Sequence, residues 1–598
     1  MVRRIPGGPV PDRLVPADRP EPDNTGARCR EPGTGSRVPV QMQHPPWHAR
    51  HHQDRVVRSV VRTRRSMRSR AACSTLSLVL VAGLVVGGEA SAATGCAEPG
   101  HPGGEWRSYG QDWANSRHQA AEQVIGKGNV PTMAPAWVVS TEGLGGTGDI
   151  TGTPVVADGC VYIASNRGWV YALDADTGDL VWRQGRPGMV NGSVAVEDGK
   201  VFVPFDFSSD TYLAAFDQFT GAELWRSPRL DHQTGSDIFG SPVYFDGIVF
   251  IGISGLAETS DETTRFGFQG SYVLLDADTG EIMKKTWVIP PEQWEVADDE
   301  DGLGYSGATI WSTPAVDPET RTAYVGAGNP FNPYYEHERT NALLKIDLAR
   351  DSATFGEIVA SYKGTIDKYV PPAATETRCV DVPEAVTDAG GGYVESKACG
   401  DFDLDMGASP NIFFDDDGRK LVGIGQKSGV YHVVDAESMD QVWTSLVGVP
   451  SEVGGIVGST AYDGTRVYGP HTLAGYLFGL EKNTGDAEWL SPVADGVHWG
   501  QPVASANGVV YTVDFKGFLD AYDADTGVPL LHLPMALATH TRAEANLTDP
   551  ILSWAGVSVA RNTVYAAVGI DGEGYGIPQL PNGYLVAYRP MENVIDAG

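Results

Sequence analysis

Seven copies of one hairpin, spread along a chain of 598 residues, limit what this sequence can fold into. In its full form the hairpin is a strand ending in Asp, a turn of the form Asp-x-x-Thr-Gly, and a following Trp. The clearest are LDADTGDLVW (173–182), FDQFTGAELW (216–225), LDADTGEIMKKTW (275–287) and LEKNTGDAEWL (480–490). Weaker copies are IDLARDSATFGEIVASY (346–362), VDAESMDQVW (434–443) and YDADTGVPLLHL (522–533). The Thr-Gly step suits a tight hairpin because glycine takes positive φ freely, and the Trp is expected to reach back and pack between neighbouring units. An eighth hairpin is split between the ends: YLVAY (584–588) has no successor strand, and Ala136-Trp137-Val138 has no predecessor. Pairing the two ends closes a ring and removes the exposed edges of an open array.

A second signal gives the same number. Small-residue strand starts occur as ITGTP (150–154), VNGSV (190–194), IFGSP (238–242), IWSTP (310–314), MGASP (406–410), IVGST (456–460), HWGQP (498–502) and WAGVS (554–558). The chain therefore reads as all-β: an eight-bladed β-propeller of four-stranded antiparallel sheets, closed by pairing of its N- and C-terminal strands. The 73 glycines and 39 prolines suit a chain of strands and turns. Aligning the starts predicts a funnel ring of Thr151, Asn191, Phe239, Trp311, Gly407, Val457, Trp499 and Ala555. Spacing between the turn acids grows from 43 residues (Asp174 to Asp217) to 88 (Asp347 to Asp435), so extra segments near 256–269, 291–305, 330–340 and 364–405 are expected to cover one mouth of the funnel, with 535–550 beside them.

Residues 1–66 are rich in Arg, Pro and His without hydrophobic period and read as a disordered basic extension, possibly upstream of the real start. From Met67 the pattern is that of a signal peptide: Arg68 and Arg70, an apolar run from Leu76 to Val86, then Ala90-Ser91-Ala92. That run is too short for a stable membrane span; a basic arm before a signal anchor is the alternative. Residues 93–598 form a single propeller, exported to the outside or the cell envelope. Cys96 lies near the new terminus, but Ala93-Thr94-Gly95-Cys96 lacks the Leu of a lipidation box, which leaves a lipoprotein as the lesser reading.

Residues 1–92 hold 15 of the 44 Lys/Arg and 7 of the 76 Asp/Glu, so the remainder carries 29 basic against 69 acidic side chains. Nucleic-acid binding needs a basic face and is excluded. Four cysteines remain in an exported chain, which favours disulfides; Cys379 with Cys399 inside one insertion is the preferred pair, leaving Cys96 with Cys160. No Cys-x-x-Cys-His occurs, so no covalently attached haem is encoded.

The stretch SGATIWSTPAVDPETRTAYVGAGNPFNPYYEHERTN (306–341) alone joins an aromatic strand start, Trp311, to a Gly328-Asn329-Pro330 break and the charged run Glu336-His337-Glu338-Arg339. Together with CGDFDLDMGASP (399–410) and GQKSGVYHVVD (425–435), it resembles the quinoprotein alcohol dehydrogenases, and within them the polyvinyl-alcohol dehydrogenase-like branch, over roughly residues 105–590. The resemblance implies pyrroloquinoline quinone (PQQ) held over a calcium ion. Residue by residue, it implies that Trp311 stacks under the quinone, Lys427 lies beside the quinone oxygens, and Ser254 and Gly255 approach a cofactor carboxylate; Trp499 also faces the cofactor. Glu258 and Asn329 match the calcium ligands, oxygen donors suited to a hard cation.

Other positions depart from that pattern. Asn191 and Gly192 stand where an Arg is expected, Phe239 and Val457 where polar contacts are, and no adjacent Cys-Cys pair occurs. The catalytic acid's position falls on Glu336 or Asn341, and only Glu336 can act as a base. The resemblance thus implies an oxidoreductase taking a secondary or polymeric alcohol by hydride transfer to the quinone, with a separate electron acceptor such as a cytochrome c. The alternative is a non-catalytic propeller acting as a binding or assembly scaffold.

Overall fold

The turn acids organise each blade locally. In a computed structural model of the chain, Asp174 Oδ1 accepts hydrogen bonds from the backbone N–H of Asp176 (3.0 Å) and Thr177 (2.9 Å) and from the Thr177 hydroxyl (3.1 Å). Asp217, Asp276 and Glu481 repeat the arrangement with Thr220, Thr279 and Thr484. This is an Asx-type turn, with the following glycine in left-handed backbone, as at Gly221 (φ 70°).

The structure describes residues 95–98, 100–206, 210–255, 267–295, 304–331, 336–365, 404–448, 455–472, 475–493, 501–535, 555–569 and 583–591, and the backbone alone of Cys379–Asp381 and Lys397–Cys399. The fold is an eight-bladed propeller of four-stranded antiparallel sheets. Blade 1 runs Val155–Ala157, Cys160–Ala164, Trp169–Asp174, Leu180–Gly185. Blades 2 to 7 follow the same order from inner to outer strand, with inner strands at Ala195–Glu197, Val243–Phe245, Ala315–Asp317, Asn411–Phe414, Ala461–Tyr462 and Ala504–Ala506. Blade 8 takes three strands from the C-terminal part, Val557–Ala560, Thr563–Val568 and Tyr584–Pro590, and its outer strand, Met133–Ser140, from the N-terminal part. Val138 lies opposite Val586 in that antiparallel pair, so the ring closes as the split hairpin predicts.

The Trp of each hairpin reaches forward rather than back. Trp182 of blade 1 lies against Gly221 in the turn of blade 2, where a Cβ would come within 2.6 Å of the indole. Its Nε1 donates to Gln218 O at 2.9 Å, and the hydroxyl of Tyr162 reaches the same oxygen. Trp225 on Gly280, Trp443 on Gly485 and Trp489 on Gly527 repeat this clasp, and Trp137 on Gly178 locks blade 8 to blade 1. The glycine therefore serves twice, for the turn and for the indole. Blade 3 departs from expectation: Lys284, not Trp287, occupies the clasp position against Gly356 of blade 4, while Trp287 packs edge-on against Trp294.

The small-residue starts bring the blades close around the axis. A Cβ on Gly192 would stand 2.4 Å from Gly240 O, and one on Gly152 2.9 Å from Gly192 O. Two residues past five of the funnel positions a hydroxyl accepts from the preceding blade's backbone: Thr153 N to Ser193 Oγ, Ser193 N to Ser241 Oγ, Ser241 N to Thr313 Oγ1, Thr313 N to Ser409 Oγ and Ser409 N to Ser459 Oγ, all at 2.8–3.0 Å. Buried backbone donors that no strand can satisfy find partners in this belt.

At the other end of the axis, residues 106–119 cross all eight blades as a strap. Trp106 exchanges backbone bonds with Val156 of blade 1, and Arg107 O accepts from Val196 N of blade 2. The Trp113 indole donates to Tyr244 O of blade 3, and carbonyls of Trp113, Ala114, Ser116 and Arg117 accept from Val316, Ile412, Tyr462 and Ser505 of blades 4 to 7. Gln119 Nε2 reaches Val559 O of blade 8. Arg117 is fully buried at the centre, donating to Val503 O (2.7 Å) and Val557 O (3.1 Å), with its guanidinium over the rings of Trp106 and Tyr109. Burial lowers its pKa to about 10, which still leaves it charged.

Cys96 and Cys160 form a disulfide that ties the start of the strap to blade 1. Cys379 and Cys399 face one another in the register of a two-stranded ribbon whose side chains are not described. No helix among the described residues is long and apolar enough to cross a membrane. The signal segment and residues 1–66 lie outside the described residues.

Candidate functional site

The loops joining second to third strands gather at the mouth opposite the strap. Ile310 N donates to Ile253 O across blades 4 and 3 at 3.1 Å, which brings the next residues, Trp311 and Ser254, to the same rim. Trp311 is half-buried on the funnel ring. Its indole fills the space beside Gly407 of blade 5: a Cβ there would lie 1.8 Å from the ring, so the equivalent position of the next blade must be glycine.

Lys427 sits in the Gln426–Gly429 turn of blade 5, with Gly429 at φ 81°. Its ammonium lies 5.4 Å from the centre of the Trp311 ring and 2.9 Å from Asp405 Oδ2. A cation over an indole face is an attractive arrangement. The other oxygen of Asp405 accepts from the backbone N–H of Asn329. Gly328, just before, has no room for a side chain, since a Cβ would stand 2.7 Å from Asp405 Oδ1. Asp405 thus joins two expected site residues from different blades. It is 6% exposed.

Ser254 is 4% exposed, and its hydroxyl has no hydrogen-bond partner. Buried polar groups are normally satisfied, so an orphan at a funnel mouth fits a hydrogen bond to a bound group. Gly255 follows where a Cβ would meet the Phe268 ring at 2.5 Å. Glu336 pairs with Lys363 at 2.7 Å. Next to it, His337 accepts from Arg339 N through Nδ1 (3.1 Å) and lies 2.6 Å from Gln293 Oε1 through Nε2, which assigns its proton to Nε2. Burial lowers its pKa to about 4. Asn341, the other residue at the catalytic-acid position, is fully buried in left-handed backbone (φ 47°) with its amide unpartnered.

Glu258 and Trp499 lie outside the described residues. Among the described residues no group of three or more His, Cys, Asp or Glu side chains converges as a metal cluster, and Asn329 is the expected oxygen donor that remains. Phe239 is 40% exposed on the ring, and Asn191 leaves its amide without a partner. An aromatic face, a cation held above it and an orphan hydroxyl fit a flat anionic ring. Sequence reasoning missed Asp405, although it lies within the DFDLDMGASP segment that carries the resemblance.

Comparison with known proteins agrees with the propeller fold. Residues 121–288 match a family of PQQ-type repeats described as outer membrane protein assembly factor BamB. A polyvinylalcohol dehydrogenase of Pseudomonas sp is 26% identical over 498 residues, covering 78% of this chain and 73% of the relative. A quinohemoprotein alcohol dehydrogenase of Comamonas testosteroni is 31% identical over 251 residues, covering 38% of this chain and 33% of the relative. The crystal structure of a quinohemoprotein alcohol dehydrogenase from Comamonas testosteroni superposes with a TM-score of 0.59 at 20% identity, covering 81% of this chain and 80% of that one, a likeness of fold. The chain is thus similar over most of its length to a polyvinylalcohol dehydrogenase, and over a shorter part to a quinohemoprotein alcohol dehydrogenase, with PQQ-type repeats in its first blades.

Proposed function

We propose that the protein is an exported PQQ- and calcium-dependent alcohol dehydrogenase that oxidises a secondary or polymeric alcohol and passes the electrons to a separate acceptor such as a cytochrome c. The observation that carries this reading is the Lys427 ammonium fixed 5.4 Å from the Trp311 ring by the buried Asp405. The quinone, when bound, supplies a two-electron hydride-accepting centre. The chain's own residues do the rest. Trp311 provides the floor, Lys427 a positive charge for developing negative charge on the quinone oxygens, and Ser254 Oγ with Gly255 N–H the contacts to a carboxylate. Trp499 is assigned to the cofactor side by the resemblance, Glu258 and Asn329 would supply oxygen donors to calcium, and Glu336 would take the hydroxyl proton of the substrate. The Cys96–Cys160 bond supports export and speaks against lipidation at Cys96, whose sulfur is already engaged.

The test is reconstitution of purified protein with PQQ and calcium. Binding in about equal amounts and alcohol-dependent dye reduction are expected; absence of any calcium-dependent PQQ binding overturns the proposal. A second reading, a non-catalytic scaffold, is favoured by Phe239 standing exposed on the ring, and it predicts no quinone uptake in the same experiment.

A further inference from the structure

We infer that Gln426 is a positioning residue of the quinone site: its buried side-chain amide sets the backbone from which Lys427 rises, and His432 fixes that amide. This rests on the reading proposed above. Gln426 is fully buried, and its side chain makes five hydrogen bonds. Oε1 accepts from Thr365 N (3.0 Å), the Ser428 hydroxyl (2.8 Å) and His432 Nε2 (2.8 Å), while Nε2 donates to Thr365 O (3.0 Å) and Leu404 O (2.8 Å). A backbone N–H can only donate and a carbonyl can only accept, so the amide has one orientation. That orientation decides the imidazole: facing an acceptor, His432 carries its proton on Nε2. Nδ1 then needs a donor, and the Tyr362 hydroxyl stands 3.1 Å away.

Three segments meet on this amide. Thr365 follows the outer strand of blade 4, Ile358–Lys363; Leu404 leads to the funnel position Gly407, beside which the Trp311 indole lies; Ser428 belongs to the turn that carries Lys427. The backbone of Gln426 adds a fourth, its carbonyl accepting from Ile456 N of blade 6 at 3.0 Å. On the blade 4 side the bonding continues: Gly364 N donates to Asn341 O (2.9 Å) and Asn341 N to Gly328 O (2.8 Å), one residue before Asn329. Gly364 has no room for a side chain, since a Cβ would stand 3.1 Å from Gln426 Oε1 and 2.2 Å from the Met406 methyl. Gln426 thus ties the turn of Lys427 to the blade 4 segments that hold Asn329 and Asn341. An apolar side chain of the same length removes a partner from the Thr365 N–H and from two carbonyls at once. Buried groups left short of partners are costly, so the turn shifts to recover them and carries Lys427 with it.

The experiment uses the full chain and reads three quantities: PQQ affinity at saturating calcium by quenching of tryptophan fluorescence, the rate of Lys427 acetylation by acetic anhydride without PQQ, and the thermal unfolding midpoint. Gln426→Met is expected to weaken PQQ about tenfold or more and to raise Lys427 acetylation about threefold or more, because a buried network is lost as a unit. His432→Leu moves both in the same direction by about threefold, and His432→Gln, which keeps an N–H near the place of Nε2, recovers most of that change. In the Gln426→Met background His432→Leu adds less than about twofold, since the imidazole acts through the amide. Trp489→Ala, at the seam of blades 6 and 7, controls for stability alone: it lowers the midpoint and leaves PQQ affinity and acetylation within about twofold. Should Gln426→Met not fold, His432→Leu against His432→Gln decides. PQQ affinity and acetylation changed no more than in Trp489→Ala, with PQQ bound by the unmodified protein, overturn the inference alone. No PQQ binding by the unmodified protein overturns the reading of the site, and this role with it.

Discussion

Glu336 places Oε1 2.7 Å from the ammonium of Lys363, which also binds the backbone oxygens of His337 and Thr340. Residues 336–340 are thereby anchored to the outermost strand of blade 4. Glu336→Gln is expected to reduce kcat of the reconstituted enzyme by 100-fold or more, the usual order for loss of a general base. PQQ affinity should stay within about twofold. Dye-reduction kinetics beside a PQQ titration check both; unchanged kcat moves the base elsewhere.

Gly407 leaves the space that the Trp311 indole occupies. Gly407→Ala puts a methyl where the ring lies, in a part of the ring closely packed between blades. We expect loss of PQQ binding by about tenfold or more, with a cost to stability of about 1–3 kcal/mol from overpacking. Far-UV circular dichroism with a PQQ titration separates a displaced floor from a misfolded blade.

The indole clasps make blade seams cooperative. Trp182 and Trp489 are 7% and 8% exposed, each packed on a glycine of the following blade and bonded to a turn carbonyl. Truncation to alanine removes an indole and leaves that carbonyl short of a donor, a loss of about 3–5 kcal/mol. Trp287→Ala, outside the clasp position, should cost clearly less. Urea unfolding of the three variants tests the order.

Two buried histidines set an acid limit. Burial lowers the pKa of His337 to about 4 and of His432 to about 3, against 6.5 for an exposed ring. The unfolded chain therefore takes up these protons first. Their contribution is complete above pH 6.5 and declines as the pH falls toward the folded values, by roughly 1.4 kcal/mol per pH unit for each ring. Thermal midpoints should fall between pH 6.5 and 4, and His432→Gln should flatten that slope. An equal slope in the variant excludes His432 as a cause.

The propeller was legible because its signals are local and repeated. Asx turns, Thr-Gly steps and small-residue starts each mark one blade, and two series of them give eight. The clasp was legible in kind but not in direction, since a hairpin does not state which neighbour its Trp meets. In blade 3 Lys284 stands opposite Leu274 as Trp182 stands opposite Ala172 in blade 1, and Trp287 lies three residues farther along the strand, so the nearest Trp in sequence was misleading. Asp405 was missed because its partners come from two other turns, Gly328-Asn329 and the Lys427 loop, and such a contact leaves no spacing to read. The strap was illegible for a related reason. WRSYGQDWANSRHQ (106–119) has no period, being matched to eight different inner strands by carbonyls, an indole and one arginine.

The strap gives the axis a floor. Arg117 and its neighbours fill the passage, so a molecule that enters the funnel by the mouth must withdraw by the same mouth, and no chain can be threaded along the axis from one end of the propeller to the other.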